Sequence, residues 1–211
     1  EVLSHIRKLA KEEKQFIKPY YTSTNRYYIQ KTNNYIIYLC KNNFDRLDIN
    51  SYPNIKNHFD KYKIQLKNAK IKYGEFNKPY FYINRGINDN FYRNGPKIVC
   101  QRRSHIQLFL YAEDEYYGSS AIKFLVSNRI NLKYLTALLN STIILFWLKN
   151  KGNRLGDMIH IRKEILLQLP LIKPKDENII QYIAKLVDDI IEISKLIESS
   201  QQLHQIKYHK D

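Results

Sequence analysis

The sequence predicts an α+β fold: a small, mostly antiparallel sheet with two flanking helices and a long C-terminal helix. Three observations carry this. Short aromatic and β-branched runs between 17 and 127 are separated by Asn, Asp and Gly, the punctuation of strands and turns. Two stretches, 51–74 and 131–152, switch to helical period, each with a polar cap candidate in front and a glycine at its end. The tail repeats isoleucine and leucine at alternating spacings of four and three.

Residues 2–16 predict a short helix or connecting arm, with Val2, Ile6, Leu9 and Phe16 near helical spacing. IKPYYTSTNRYYIQKTNNYIIYL (17–39) reads as extended chain broken by turns, one of them at Asn33-Asn34. In 51–74 Ser51 is the cap candidate and Pro53 suits the first turn. Ile55, Phe59, Tyr62, Leu66 and Ala69 form a stripe expected to pack inward, with Lys56, Lys63, Lys67 and Lys70 on the solvated face. Strand-like runs follow at PYFYIN (79–84), PKIVCQ (96–101), IQLFLY (106–111) and SAIKFLVS (120–127). The second helix, 131–152, has Asn131 as its cap, Trp147 on an apolar face and Gly152 beyond its end. Residues 152–175 read as extended or irregular chain stopped by Pro170 and Pro174. From Asp176 to about Ile206 a long helix is expected, its heptad seam formed by Ile179, Ile183, Leu186, Ile190, Ile193 and Ile197. This seam should dock on the chain's own helices or on a partner. The expected organisation is an arm (1–16), a body (17–175) and a helical tail (176–211).

At 211 residues, with 44% hydrophobic and 26% charged side chains, the chain can bury a core and is too apolar to be disordered. The longest apolar run, within 134–148, is interrupted by Asn140, Ser141 and Thr142 and falls short of the roughly 18–20 residues of a membrane span. No signal peptide opens the chain, and Cys40 and Cys100 cannot make a disulfide framework, so a cytoplasmic location is expected. The chain opens on Glu1 and its one methionine is Met158, which reads as a piece of a longer protein.

The net charge of +15 is unevenly spread. Residues 16–175 carry 27 basic and 10 acidic groups, net +17, whereas 176–211 carry net −3. A body that positive is suited to a polyanion. Heavy use of Ile, Lys, Asn and Tyr fits an A+T-rich genome and accounts for part of the lysine excess. It does not account for arginine: nine of the ten arginines lie between Arg26 and Arg162, and arginine alone offers a planar fork to phosphate or to a guanine edge.

Catalytic chemistry is not visible. His5, His58, His105, His160, His204 and His209 are scattered, and no H-x-x-H or C-x-x-C pair occurs. Glu113, Asp114 and Glu115 cluster, but without the lysine two positions on that a nuclease strand carries, so they read as a solvated acidic turn. The six glycines never reach phosphate-loop or dinucleotide-loop spacing. Asn77-Lys78-Pro79-Tyr80 lacks the first proline of the Asn-Pro-Pro-Tyr motif of adenine methyltransferases and is treated as a chance match.

YPNIKNHFDKYKIQL (52–66), PKIVCQRRS (96–104), LKYLTALLNSTIILFWLKNKGNRLG (132–156) and LLQLPLIKP (166–174) succeed one another in a familiar order. Over about 17–174 the chain resembles the TaqI-like C-terminal specificity domain of type II restriction-modification enzymes and adenine-specific DNA methyltransferases. The resemblance implies a non-catalytic domain that clamps double-stranded DNA and reads its target so that an extruded adenine reaches a catalytic pocket. It implies a bacterial restriction-modification setting, with no membrane partner and no cofactor in this chain. The resemblance further implies an N-terminal Rossmann-like methyltransferase domain using S-adenosylmethionine as partner, with Mg expected where the parent also cleaves DNA.

Affinity should come from Lys and Arg on phosphates, and specificity from side chains reaching base edges. Gln101, Arg102, Arg103 and Ser104, after the strand PKIVC, are the foremost candidates, since Arg pairs with guanine and Gln with adenine. The polar turn Ser23, Thr24, Asn25 and Arg26 with Lys31 is the second, and Tyr20 and Tyr21 beside it could stack on a base. Asn153 and Arg154 are the third, between glycines expected to let the backbone approach a phosphate. Arg85 and Arg93 flank a loop that could enter a groove. Three rival readings remain open: the specificity subunit of a multisubunit restriction system, a small metal-dependent nuclease using 113–115, and a single-strand nucleic-acid binder.

Overall fold

The structure, a computed structural model, describes residues 9–24, 29, 32–40, 47–84, 89–106 and 108–208, with no side chain described at 89, 153–155 or 201–208. It is α+β, with seven helices and small, mostly antiparallel sheets among the described residues. No described helix is long and apolar enough to cross a membrane. The chain forms two compact units: 1–20 with 32–93, and 21–31 with 94–211.

The first unit holds α1 (Lys11–Lys14), β1 (Ile17–Tyr21, its last residue in the second unit), β2 (Tyr35–Ile37), α2 (Pro53–Lys61) and α3 (Lys63–Lys72). Strands β1 and β2 pair antiparallel, with Ile17 opposite Ile37 and Pro19 opposite Tyr35. Phe16, Leu39, Ile55, Phe81 and Tyr82 form the core. The start of the expected arm helix lies outside the described residues, and its described part is a single short turn, α1. Glu13 of that turn, only 1% exposed, seats α2. Glu13 Oε1 accepts from the N–H groups of Asn54 (2.8 Å) and Ile55 (3.3 Å), and Oε2 accepts from Asn54 Nδ2 (2.7 Å) and Ala10 N–H (3.1 Å). Pro53 needs no such partner because it has no N–H.

Several expectations are corrected in this unit. Ser51 does not cap the helix: it ends a 3-10 turn (Ile49–Ser51), and α2 starts after Tyr52 with no cap from that side chain. The helix over 51–74 is broken at Tyr62, whose backbone leaves helical values (φ −114°, ψ 17°). Behind the break Tyr62 is exposed while Lys70, expected on the solvated face, is 3% exposed. Its Nζ donates to the Tyr82 carbonyl (2.6 Å) and lies 3.5 Å from Glu75, so a hydrogen bond and a counter-charge offset its desolvation. PYFYIN is not a strand. The Tyr82 N–H closes a turn on the Pro79 carbonyl, and Phe81 and Tyr82 enter the core from that turn.

The second unit is built on β3 (Lys97–Gln101), β4 (Arg103–Ser104), β5 (Phe109–Ala112), β6 (Tyr117–Gly118) and β7 (Ile122–Leu125). Strand β3 is central, antiparallel to both β5 and β7. Its residues 97–100 are all buried, and period-two alternation explains how. Ile98 and Cys100 join the cluster that includes Leu132, Leu139 and Leu148, whereas Val99 joins Leu110, Tyr116 and Ile122 on the other face. The first of these clusters is supplied by α4 (Leu132–Leu139) and α5 (Thr142–Lys151). Asn131 caps α4 as expected, accepting from the N–H groups of Lys133 and Tyr134. The single helix expected over 131–152 is interrupted at Asn140. The Asn140 amide accepts from Phe109 N–H (3.0 Å) and donates to the Phe109 carbonyl (2.8 Å), acting as a one-residue strand against β5. Ser141 then caps α5. Trp147 packs on this cluster but is only partly buried.

β8 (Asn153–Leu155), β9 (Met158–His160) and α6 (Lys163–Leu166) lead to α7 (Glu177–Tyr208), which packs on α4 and is tied to it by Lys133 Nζ–Asp188 Oδ1 (2.7 Å). The long helix is present, but its inner face lies one residue away from the expected seam. Ile180, Ala184 and Val187 are buried, while Ile179, Leu186, Ile190, Ile193 and Ile197 are exposed.

Candidate nucleic-acid interface

β3 runs beside β7 as far as the Gln101–Ile122 pair, and there the chain changes partners. Arg102 donates its N–H to the Ala121 carbonyl (2.7 Å), and its carbonyl accepts from Ile161 N–H (2.8 Å). Arg103 and Ser104 then pair with β9, opposite His160 and Ile159. On the other edge of β9 stands β8, with Asn153 opposite His160 and Arg154 opposite Ile159. Residues 103–104 and 153–154 therefore come together on one three-stranded sheet, order β4-β9-β8, separated by two strand spacings of roughly 5 Å each, with Arg102 leading into it and Gln101 at the end of β3 in the neighbouring sheet.

The β8–β9 hairpin turns through Gly156 and Asp157. Gly156 has a φ of +60°, the left-handed conformation that favours glycine. Gly152 has a different role from the one expected. It ends α5 in extended backbone (φ −75°, ψ 165°), and a Cβ there would run into the Leu148 carbonyl. A close helix end, rather than room for a phosphate, accounts for it.

Arg103, Lys123 and Arg162 are exposed, and Arg102 is half-buried. All four cations act on His160, which is 5% exposed. Burial, first, and then Arg162, Arg102, Arg103 and Lys123 hold its pKa below the usual 6.5, so His160 is neutral at pH 7. Arg102 Nε donates to His160 Nε2 at 3.1 Å.

The other candidates fall elsewhere. Thr24 is buried, its Oγ1 without a hydrogen-bond partner among the described residues. The Tyr21 ring is stacked on Tyr116, 4.0 Å between centroids and 14° between planes, which occupies a face that could have met a base. Tyr20 lies in the first unit, where its N–H donates to the Asn34 carbonyl, and Arg93 is exposed in the same unit. Asn25, Arg26, Lys31 and Arg85 lie outside the described residues. Lys123, His160 and Arg162 escaped the sequence reading. Lys123 is the outward position of a strand pattern, a visible signal, whereas His160 sits between two buried isoleucines and reads as core.

The acidic turn 113–115 has a structural partner. Lys97 is 1% exposed, and its Nζ donates to the Gly95 carbonyl (3.0 Å). Burial lowers its pKa, and Asp114, Glu115 and Glu113 oppose that shift, so the carboxylates serve as counter-charges to a buried ammonium.

A search of the curated proteins finds no match to this chain. A family model does match: that of the TaqI-like C-terminal specificity domain, over residues 17–171. The matched span takes in β3, β4, β8 and β9, and with them the sheet that gathers the polar candidates. The chain therefore belongs to the TaqI-like C-terminal specificity domain family, with a DNA target-recognition role in restriction-modification enzymes.

Proposed function

We propose that this chain reads double-stranded DNA for a type IIG-like restriction enzyme or adenine-specific methyltransferase. Its body, 17–175, would hold the duplex so that the target adenine reaches a methyltransferase domain carrying S-adenosylmethionine. The observation that supports this is the convergence of 103–104 and 153–154 on the two sides of β9, with Gln101 and Arg102 leading into that sheet, beside exposed Lys123 and Arg162. Gln, Arg, Ser and Asn along these neighbouring strands are residue types that offer both phosphate and base-edge partners.

Duplex binding is expected to weaken steeply with salt, with a slope of about −0.9 per phosphate neutralised. Titration of a labelled duplex at increasing salt checks this, and salt-independent binding refutes it. In the parent enzyme, Arg102→Ala or Arg103→Ala is expected to relax sequence preference by about 1–3 kcal/mol at one base position. Equal weakening on all sequences would instead assign these arginines to phosphates. Competition by single-stranded oligonucleotides separates this reading from a single-strand binder.

A specificity subunit of a multisubunit system is the second reading, favoured by one observation. The seam Ile179, Leu186, Ile190, Ile193 and Ile197 is left exposed on α7, and heptad seams of that kind pair helices.

A further inference from the structure

Arg102 is held at three points. Its N–H and carbonyl are fixed by Ala121 and Ile161, and its Nε by His160. The third contact differs from the others because it depends on a proton. Accepting at Nε2 requires a neutral imidazole carrying its hydrogen on Nδ1. An imidazolium would present a donor to a donor, and a positive charge to Arg102 itself.

We infer that His160 is the positioning residue that aims the Arg102 guanidinium at a base edge. This rests on the reading that 101–104 contacts DNA. The guanidinium has five N–H donors, and His160 takes the one on Nε. Among the described residues none accepts from the two terminal amino groups, which form the end of the fork. That end matches the paired N7 and O6 acceptors of guanine. With Nε anchored, the plane and direction of the fork are set before DNA arrives, and the cost of ordering a long side chain on binding falls. His160 sits on β9, the central strand of its sheet, paired on both sides, so the anchor is itself firmly placed.

The charged groups around His160 are Arg102 and Arg103 from β4 and the residue before it, Lys123 from β7, and Arg162 just after β9. All are cations. Together with burial they keep the imidazole neutral at pH 7 and leave the anchor intact there. Acidification below pH 6.5, through the lowered pKa of His160, would break it.

The test uses the whole 211-residue chain and a duplex pool with a randomised core, selected on the protein and sequenced. The Arg102-dependent preference is the one lost in Arg102→Ala. His160→Phe is expected to reduce that same preference about tenfold, the worth of one hydrogen bond to a charged group. His160→Asn keeps an acceptor and is expected to restore most of it. In the wild type the preference is expected to fall with pH in step with the His160 titration followed by imidazole NMR, and His160→Phe should lack that step. An Arg102-dependent preference that persists in His160→Phe overturns the inference and leaves the DNA reading standing. A preference unaltered in Arg102→Ala overturns both. Should His160→Phe fail to fold, the wild-type pH series decides, since a preference that survives the His160 titration also overturns the inference.

Discussion

Glu13→Ala is expected to cost the first unit about 1–3 kcal/mol, the consequence of taking the acceptor from the leading N–H groups of α2, one of them buried, and from the Asn54 side chain. One carboxylate, itself 1% exposed, meets four donors, two of them the leading N–H groups of α2. Glu13→Gln should not rescue it, because either orientation turns an amino group toward donors. The pH dependence has a definite sign. Burial alone would raise the Glu13 pKa, but Asn54 and the N–H groups of Ala10, Asn54 and Ile55 together hold it below the usual 4.5. The contribution is thus complete above pH 4.5 and lost as pH falls through the lowered value. Amide exchange at Asn54 and Ile55, in wild type and variant from neutral pH downward, reads it locally. Equal protection in the two proteins would refute the role.

The second large effect is expected at Asn140. Asn140→Ala removes both partners of the Phe109 backbone and the Nδ2 bond to the Thr136 carbonyl (3.0 Å), for a loss of about 2–3 kcal/mol in the second unit. Asn140→Asp discriminates a strand-like role from a merely polar one. Its carboxylate keeps the acceptor for Phe109 N–H but sets an oxygen against the Phe109 carbonyl. Thermal unfolding should find Asp little better than Ala, and wild-type stability in the Asp variant would refute the two-sided bond.

The helix that Glu13 seats, and Asn140 itself, lie in the segments that carry the family resemblance. Pro53, Asn54 and Ile55 in the YPNI segment seat a helix on Glu13, and Asn140 and Ser141 in the LLNS segment end one helix and begin the next. The familiar words of the sequence are therefore largely structural, and the polar segments beside them are where DNA contacts are proposed. The longer helical segments and most strands were legible because period is a local signal, as is the Asn131 cap. The breaks at Tyr62 and Asn140, the seating of α2 on distant Glu13 and the short α6 in a stretch expected to be extended were not legible. The face of α7 was not. Ile179 and Ile180, Leu186 and Val187, Ile190 and Ile191 are apolar neighbours, so two seams compete and only packing on α4 selects one. The burial of Lys70 was equally hidden, since its partner carbonyl lies 12 residues on. The pairing of 103–104 and 153–154 with the two edges of β9 is a ladder between distant segments, which no window of sequence contains.

The chain crosses from the first unit to the second at Tyr21, returns at Thr32 and crosses again at Asn94. Gene fusion and exchange act on contiguous stretches, and here no single cut separates the two units. A cassette beginning at Asn94 would carry every strand of the β4-β9-β8 sheet yet leave behind the Tyr21 ring stacked on Tyr116. Recombination between relatives should therefore move both units as one heritable piece. If the β4-β9-β8 sheet contacts DNA as proposed, a new target specificity would more easily arise by changing residues on it than by trading half a domain.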